Sequence, residues 1–328
     1  MYNIEHIKTV HLEVTSRCQA SCPMCVRNLH GGLDNPWLEL DEITLAQFKE
    51  WLPVEFIKQL DRLYMCGNTG DPIVAKDTLD IFKYLRELNP AMHLSMNTNG
   101  SAKDVKWWQE LAVTNVRVIF GIDGLEDTHK LYRIGTDWHK IINNAWEFIR
   151  AGGEAEWHML VFKHNEHQID DCQSIANTMG FNKFTTKHTS RFSDSEKTVL
   201  NKDGTTSHIL QPSSRSQTLA KKLIDYNARE NTVINCKAVE EKSIYINAHG
   251  EVTACCWLDF RAVPPFNASL VDFRNNKFVN PNLKTSSLEQ IFSSAYFKKI
   301  EEQWNSTPLL QCSKQCGKID KFKEQFND

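Results

Sequence analysis

The sequence lacks several features that mark common protein classes. No uninterrupted apolar stretch of about eighteen residues occurs, so no transmembrane helix is expected. The N-terminus has neither the basic start nor the apolar run of a signal peptide, which predicts a cytoplasmic protein. With a net charge of -3, the chain has no surplus of Lys and Arg for phosphates, so nucleic acid is not an expected partner.

Two further absences narrow the choice. No repeat of fixed period is present, which excludes a solenoid, and no Gly-x-Gly-x-x-Gly follows the first predicted strand, which disfavours a nicotinamide-dependent dehydrogenase. Cysteine, in contrast, is abundant, with 10 residues. Because a cytoplasmic environment keeps thiols reduced, metal binding or redox chemistry is the leading explanation for them.

Strand-like apolar runs alternate with helical patterns up to about residue 189. Leu79, Phe82 and Leu85 lie on one helical stripe, and Asn165 is placed to cap a helix that ends at Gly180. This alternation predicts an α/β fold with about six βα units and a parallel sheet curled into an open barrel, with ligands at the carboxyl ends of its strands. The predicted strands are Val10–Val14, Leu63–Cys66, His93–Met96, Val116–Phe120, Trp157–Phe162 and Lys183–Thr186.

The remainder of the chain changes in composition twice. We predict a partial (β/α)6 barrel over residues 1–190, a polar linker or lid with a helix over 191–235, and a small C-terminal α+β domain over 236–328. In the last domain, two short strands are expected at 243–247 and 251–254, and one helix at 288–304. The polar segment and the small domain are candidates for closing the barrel mouth.

A Cys-x3-Cys-x2-Cys motif, formed by Cys18, Cys22 and Cys25, occupies the loop after the first predicted strand. Three thiolates at this spacing hold three irons of a 4Fe–4S cube and leave the fourth iron open as a reaction site. His30 lies near enough in sequence to complete a tetrahedral zinc site instead. The position directly after a strand favours the cluster.

A second group of cysteines lies in the predicted C-terminal domain. Gly250 separates Cys236 from Cys255, and Cys312 and Cys316 follow near the end. Four thiolates complete a closed cube without an open iron, which suits electron transfer rather than substrate ligation. A four-cysteine zinc site that staples a small domain is the alternative.

Three cysteines remain outside these groups. Cys172 lies on an apolar helical stripe, so we interpret it as a core residue. Cys66 ends a predicted strand and Cys256 follows a predicted ligand. Burial is the preferred interpretation for both, and a spare thiol near a cluster is the alternative.

Further motifs follow the next predicted strands in order. Gly67–Pro72 follows the second strand, Asn97–Gly100 the third and Ile122–Gly124 the fourth, with Arg133 downstream. Together with the cysteine loop, they resemble the radical SAM superfamily, which binds S-adenosylmethionine (SAM), and specifically its members with a C-terminal SPASM or twitch domain. The later cysteines resemble that domain's Cys-x(9-15)-Gly-x4-Cys signature with its distal Cys-x3-Cys.

The resemblance implies a set of SAM-binding residues. Segment 67–71 is similar to one whose backbone grips the SAM amino group, Arg133 resembles an arginine that pairs with the SAM carboxylate, and Asn165 lies where the family contacts the nucleoside. Asp71 replaces a usual Glu, Met24 a frequent aromatic residue, and Gly121 a frequent Ser. The full expected set is Gly67, Asn68, Thr69, Gly70, Asp71, Asn97, Asn99, Asp123, Arg133 and Asn165. Helix caps or turns are the alternative for Asn97, Asn99 and Asp123, and a surface cation is the alternative for Arg133.

The resemblance also implies the chemistry. A reduced 4Fe–4S cluster cleaves SAM to methionine and a 5'-deoxyadenosyl radical, which abstracts hydrogen from a substrate carbon. The cysteine count favours one auxiliary 4Fe–4S cluster, as in twitch domains, and therefore a net oxidation; relaying electrons or supporting the fold are alternatives. A flavodoxin- or ferredoxin-type protein is the expected electron donor.

The substrate is the least constrained part of the prediction. Lys187, His188 and Arg191 follow the sixth strand and are candidates for contacting an anionic substrate such as a sugar phosphate, a solvated loop face being the alternative. Small polyol-like molecules and peptides both stay open. The first strand begins near residue 7, which leaves no leader-binding module before it and favours a small molecule. A zinc-stapled binding protein without enzymatic activity is the rival from another class.

Overall fold

A computed structural model describes residues 3–189, 191–192, 196–216, 233–259, 281–304, 306 and 308–317. Most of the predicted linker helix region, and parts of the predicted C-terminal domain at 260–280 and 318–328, lie outside the described residues. The chain divides into two compact units. Unit one comprises Met1–Arg17, Trp37–Leu94 and Arg229–Asp320, and unit two comprises Cys18–Pro36, Ser95–Ala228 and Lys321–Asp328.

Strands and helices alternate through the described residues. The strands are β1 (Thr9–Leu12), β2 (Asn28–Leu29), β3 (Leu33–Asp34), β4 (Arg62–Met65), β5 (His93–Thr98), β6 (Val116–Gly121), β7 (Ala155–Val161), β8 (Lys183–His188), β9 (Lys197–Leu200), β10 (Thr206–Leu210), β11 (Ser243–Ile246) and β12 (Val252–Thr253). The helices are α1 (Leu45–Trp51), α2 (Val54–Gln59), α3 (Thr78–Leu88), α4 (Val105–Ala112), α5 (Glu126–Tyr132), α6 (Trp138–Arg150), α7 (Ile169–Met179), α8 (Lys237–Glu240), α9 (Leu288–Ser293), α10 (Ala295–Trp304) and α11 (Leu310–Cys316).

Unit one contains strands in the order β12, β11, β1, β4. Strand β1 pairs in parallel with β4, where Thr9 lies opposite Arg62, and with β11, where Thr9 lies opposite Ser243. Strand β12 is antiparallel to β11. A strand from the C-terminal part of the chain therefore extends the sheet beside the first strand. On α3, the predicted stripe Leu79, Phe82 and Leu85 is buried.

Unit two contains strands in the order β5, β6, β7 and β8, and the first two residues of β5, His93 and Leu94, belong to unit one. Strand β7 pairs in parallel with β6 and with β8. Aromatic side chains fill the core under the helices: Trp108 of α4 packs on Phe120 of β6 with 5.3 Å between ring centroids, and Phe148 of α6 meets both rings edge-on. Burial of such large apolar surfaces stabilises this side of the sheet.

The six predicted strands and the α/β class with a parallel sheet are confirmed. Helix α7 ends at Gly180, whose left-handed conformation (φ 87°) suits a residue without a Cβ. The predicted single helix over 288–304 is wrong in one respect, because the chain turns extended at Ser294 and divides it into α9 and α10. Within the polar segment, residues 197–210 form the antiparallel hairpin of β9 and β10. No described helix is long and apolar enough to cross a membrane.

Candidate functional site

The loop after β1 carries Cys18, Cys22 and Cys25, which belong to unit two. Cys25 N donates to Cys22 O at 3.0 Å, and Ala20 N donates to Cys18 Sγ at 3.4 Å. Cys22 belongs to a buried apolar cluster that includes Tyr132, and Cys18 and Cys25 pack against it. The structure thus brings the three predicted ligands together on an apolar support.

Asn99, which follows β5, contacts this loop. Its Nδ2 donates to Cys18 Sγ at 3.7 Å, while its Oδ1 accepts from Gln19 Nε2 at 2.7 Å and from Ser101 N at 2.9 Å. These two acceptor contacts fix the amide so that its N–H group faces sulfur. Hydrogen bonds to thiolate sulfur tune iron–sulfur clusters, so this residue fits a position beside one.

Positive charge also reaches the cysteine loop. Burial raises the pKa of the Cys22 thiol to about 11, and the guanidinium of Arg133 opposes that rise through its charge and a side-chain hydrogen bond. Burial likewise raises the pKa of Cys25, opposed by Arg191 and Arg27 among others. Ligating thiols must be deprotonated, and these cations favour the thiolate form.

The donor set fits a 4Fe–4S cube. Within the part of the chain that the structure describes, no three or more Cys, His, Asp or Glu residues are gathered closely enough for a single metal ion. A cube gives each thiolate its own iron, so its ligands form a wider set than those of one ion. Cys18, Cys22 and Cys25, together on one loop with N–H donors and cations nearby, suit that wider set.

Asp123 and Arg133 form a buried pair behind this loop. Arg133 Nε donates to Asp123 Oδ2 at 2.6 Å, and Leu160 N donates to Asp123 Oδ1 at 2.6 Å. The Asp123 side chain has no exposed surface, and that of Arg133 is 22% exposed. The negative charge of Asp123 raises the pKa of Arg133 against the desolvation that lowers it. The guanidinium is therefore charged and held in one place.

Gly121, at the end of β6, makes room for Arg133. A Cβ added at Gly121 would lie 2.7 Å from Arg133 Nη2, closer than nonbonded carbon and nitrogen atoms approach. The departure from the frequent serine noted in the sequence thus has a physical reason. A side chain at this position would displace the guanidinium.

Asn165 has a supporting position. Its Oδ1 accepts from Phe162 N at 2.7 Å, and its Nδ2 donates to Asp123 O at 3.1 Å and to Leu160 O at 3.0 Å. The side chain is fully buried and bonds to backbone only. It fixes the backbone at Asp123, whereas Asn97 lies half-buried on β5. Direct contacts of Asn97, Asp123 and Asn165 with SAM stay predictions.

Segment 67–71, after β4 in unit one, forms a tight turn around Glu13. Thr69 N, Thr69 Oγ1 and Gly70 N donate to Glu13 Oε1 at 2.6, 2.6 and 2.9 Å. A Cβ on Gly70 would lie 1.8 Å from Thr15 O, so only glycine fits there. Asp71 accepts from Ile73 N at 3.2 Å and caps the short 3-10 helix at 72–74.

Glu13 also meets Tyr245 and, through it, Asp259. The Tyr245 hydroxyl is hydrogen-bonded to Glu13 Oε2 and lies 2.8 Å from Asp259 Oδ2. Burial, together with the charge of Asp259, raises the pKa of Glu13. Asn68 Nδ2 donates to Cys256 O at 3.1 Å and to Tyr245 Oη at 3.4 Å. Local sequence patterns did not predict this network, although the charged Glu13 inside the predicted apolar run Val10–Val14 was a signal for it.

The four C-terminal cysteines also converge, within unit one. Cys236 caps α8, Cys255 precedes a short 3-10 helix, and Cys312 and Cys316 lie one turn apart on α11. A hydrogen bond with Cys236 lowers the pKa of Cys316 to about 6 and raises that of Cys236. The charges of Cys312 and Cys316 add to the burial that raises the pKa of Cys255. Four thiols that interact with one another in this way are a candidate ligand set for the predicted closed cluster.

The other predicted residues differ in their burial and in whether they contact the cysteine loop. Arg191 Nη1 donates to Met24 O at 3.1 Å, so it reaches the cysteine loop. His188 Nδ1 is hydrogen-bonded to Ser213 Oγ at 2.9 Å, and Lys187 lies exposed on β8. The core interpretation of Cys172 is confirmed, because the residue has no exposed surface. Cys66 and Cys256 are each partly buried.

Comparisons with known proteins identify the two parts of the chain. Residues 12–174 match the model of the radical SAM superfamily, and residues 236–317 match that of an iron–sulfur cluster-binding domain, SPASM. Among curated proteins, the FeMo cofactor biosynthesis protein NifB of Methanocaldococcus infernus is 27% identical over 114 residues, 34% of this chain and 37% of that protein. The match therefore spans little more than a third of the relative.

Solved structures share the fold. Streptococcus suis SuiB bound to S-adenosylmethionine superposes with a TM-score of 0.59 at 13% identity, over 93% of this chain and 72% of SuiB. The structure of anSMEcpe with bound AdoMet gives 0.57 at 14% identity, over 89% and 79%. The family matches favour iron–sulfur clusters over the zinc alternatives for both cysteine groups. This chain belongs to the radical SAM superfamily and carries a C-terminal iron–sulfur cluster-binding domain of the SPASM type.

Proposed function

We propose that Cys18, Cys22 and Cys25 ligate the cluster at which SAM is cleaved, and that the enzyme abstracts hydrogen from a small polar, sugar- or nucleotide-like substrate in a net oxidation. When bound and reduced, that cluster supplies the electron that splits SAM into methionine and the 5'-deoxyadenosyl radical. The single observation that carries the proposal is the grouping of the three cysteines on one loop with Asn99 and Arg133 directed at their sulfurs.

The other SAM contacts of the proposal fall to two kinds of group. Arg133, fixed by Asp123, supplies a charged partner for the SAM carboxylate. The backbone of 67–71, shaped by Glu13, supplies polar groups for the SAM amino group. Asn97 and Asn165 complete the proposed set of SAM-binding residues. Asn165 also holds the backbone of Asp123 in place.

The auxiliary cluster is proposed to be held by Cys236, Cys255, Cys312 and Cys316. Its four thiols leave no iron open, so its proposed role is to accept the electron of the substrate radical rather than to bind substrate.

The proposed domains are residues 1–190, 191–235 and 236–328. The proposed electron donor is a flavodoxin- or ferredoxin-type protein. The apolar residues packed with Cys22, which include Tyr132 and Phe162, would exclude water beside a cluster bound there.

A peptide is the second candidate substrate. SuiB, to which this fold is similar, has been solved with its precursor peptide SuiA, with a TM-score of 0.57 at 12% identity. Identity this low shows a shared fold and leaves the substrate class to experiment.

The nearness of Arg191 to the cysteine loop supports a substrate with an anionic group.

Iron, sulfide and zinc analysis of anaerobically purified protein tests the proposal first. After dithionite reduction with SAM, 5'-deoxyadenosine should form, and the serine variants of Cys18, Cys22 or Cys25 should form none. The matched control is Cys172→Ser, which leaves both cysteine groups intact. Colourless zinc protein that forms no deoxyadenosine would overturn the proposal.

Deuterium transfer discriminates between the substrate classes. Deuterated sugar phosphates and nucleotide sugars are incubated with reduced enzyme and SAM, in parallel with deuterated peptides. Label in 5'-deoxyadenosine from the small molecules supports the preferred substrate. Label from peptides alone would move the assignment to a peptide-modifying enzyme.

A further inference from the structure

A cavity of about 200 Å³ lies beside the cysteine loop in unit two. Cys25 and Met24 form one wall, and Asn28, Arg191 and Lys197 also line it. Its volume is below the usual range of whole-ligand pockets, about 300 Å³ and above, so it suits one functional group of a larger ligand. The remaining lining is apolar apart from His30.

The walls of this cavity are built by specific contacts. Asn28 begins the hairpin of β2 and β3, and its N donates to Cys25 O at 3.0 Å. Leu200 N donates to His30 O at 2.9 Å, which joins the hairpin to β9. A Cβ on Gly32 would lie 2.2 Å from Asn201 O, so the backbones approach as closely as glycine allows. This contact sets β9, and with it Lys197, against the cysteine loop.

Asn28, one of the residues that line the cavity, has a side-chain N–H group without a partner among the described residues. Asn28 is 7% exposed, and its Nδ2 is buried without a hydrogen-bond acceptor anywhere in the described structure. An unsatisfied buried amide costs about 1–3 kcal/mol, so a buried N–H group in a native protein normally has a hydrogen-bond acceptor. Because an N–H group donates, the missing partner is an acceptor.

The charges around the cavity also favour a ligand that accepts hydrogen bonds. Arg191 and Lys197 both line it, and none of its described lining residues is Asp or Glu. Arg191 Nη1 is already directed at Met24 O, which holds the guanidinium at the rim. Two cations that line one small volume favour an anion with several acceptor oxygens, and the unpartnered N–H group of Asn28 belongs to a residue of the same wall.

We propose that this cavity binds a phosphate or carboxylate group of the substrate, held by Arg191, Lys197 and Asn28 Nδ2 beside Cys25. The inference goes beyond the proposed function by assigning an anion subsite, and it rests on that function for the claim that the ligand is substrate. Anchoring an anionic group here would fix the orientation of the rest of the substrate at the cysteine loop.

Equilibrium dialysis of anaerobically reconstituted enzyme with SAM tests the subsite, with radiolabelled inorganic phosphate and acetate as separate probes at constant ionic strength. One saturable site per chain is expected. Lys197→Gln and Asn28→Leu should each weaken binding about tenfold, because a hydrogen bond to a charged group is lost. Lys202→Gln, an exposed lysine outside the cavity, is the matched control and should bind as the wild type does.

The two probes distinguish phosphate from carboxylate by which binds more tightly. Absence of saturable binding of either anion, or binding that Lys197→Gln and Lys202→Gln weaken equally, would overturn the subsite. A lower rate of reduction by an acidic flavodoxin in Lys197→Gln, without anion binding in the wild type, would also overturn it and assign the charges to the electron donor. Deoxyadenosine formation is measured on the same samples, so failure of the radical chemistry remains separable from failure of the subsite.

Discussion

Arg133 Nε donates to Asp123 Oδ2 at 2.6 Å, and Asp123 lies entirely out of solvent. Asp123 also accepts from Leu160 N, while its own N–H donates to His129 Nδ1 at 3.0 Å. Both carboxylate oxygens and the backbone amide are therefore engaged in holding the loop and the guanidinium. These contacts give Asp123 the role of positioning Arg133.

Replacing Asp123 with Asn should separate that positioning role from a purely structural one. The variant leaves the Arg133 charge without its buried counterion, which typically costs about 3 kcal/mol of unfolding free energy. SAM binding should also weaken, by about tenfold or more, as the guanidinium loses its fixed position. Urea denaturation and equilibrium binding of SAM to the reconstituted enzyme measure the two effects.

The control for this variant is Arg150→Gln on α6. Arg150 pairs with Glu147 at 3.4 Å on the surface, with 61% of its side chain exposed. Such a pair contributes less than about 1 kcal/mol, so the control should keep both stability and SAM affinity. If Asp123→Asn lost stability but bound SAM like the wild type, Arg133 would not be a SAM contact.

Gly121→Ala tests the same contact without removing a charge. The new Cβ would lie 2.7 Å from Arg133 Nη2, and the end of a flexible side chain yields more readily than backbone. The unfolding free energy should change by less than about 1 kcal/mol, whereas SAM affinity should fall because the guanidinium moves. Unchanged SAM affinity together with unchanged stability would show that Arg133 tolerates displacement and does not set that affinity.

Sequence periodicity predicted the strands well because most lie in buried, apolar runs. Val118 and Phe120, for example, are fully buried on β6. The pairing of β11 with β1 was not predictable, because it joins residues 243–246 to residues 9–12 across more than two hundred positions of chain. Local patterns carry no information about which edge of a sheet a distant strand will join.

The site residues fall into the same two groups, those that local sequence patterns mark and those that only the fold brings together. Spacing and order marked the cysteines and Arg133 as candidates, but no local pattern marked the residues that support them. Glu13 and Gln19 act through contacts with Thr69 and Asn99, residues more than fifty positions away. Such partners become visible only when the fold places them together.

Iron stoichiometry should divide the cysteines into two independent groups. The wild-type enzyme is expected to hold about eight irons per chain, from two 4Fe–4S clusters. Cys316→Ala should lower this to about four and keep SAM cleavage, because the cluster at Cys22 is untouched. Cys172→Ala, at a buried site outside both groups, should retain all the iron. Loss of all iron in Cys316→Ala would mean that the two clusters are not independent.

Acid should destabilise the enzyme through its buried histidines, and His129 is the clearest case. Its Nδ1 accepts from Asp123 N at 3.0 Å and its Nε2 lies 3.0 Å from Thr136 Oγ1, an arrangement that requires the neutral ring. Burial lowers the pKa of His129 from 6.5 to about 4, and the charge of Arg133 adds to this. Because the unfolded imidazole takes up a proton first, stability is lost as pH falls from 6.5 toward 4.

At pH 5.5 this single group should cost about 1 kcal/mol relative to pH 7.5. His129→Asn keeps an acceptor near Asp123 N and removes the titration, so its unfolding free energy should fall less between the two pH values. The control is His139→Asn, whose ring is 71% exposed beside Glu126. Urea midpoints at pH 5.5 and 7.5 for the three proteins measure the effect. An equal acid loss in wild type and His129→Asn would show that this ring is protonated in the folded enzyme.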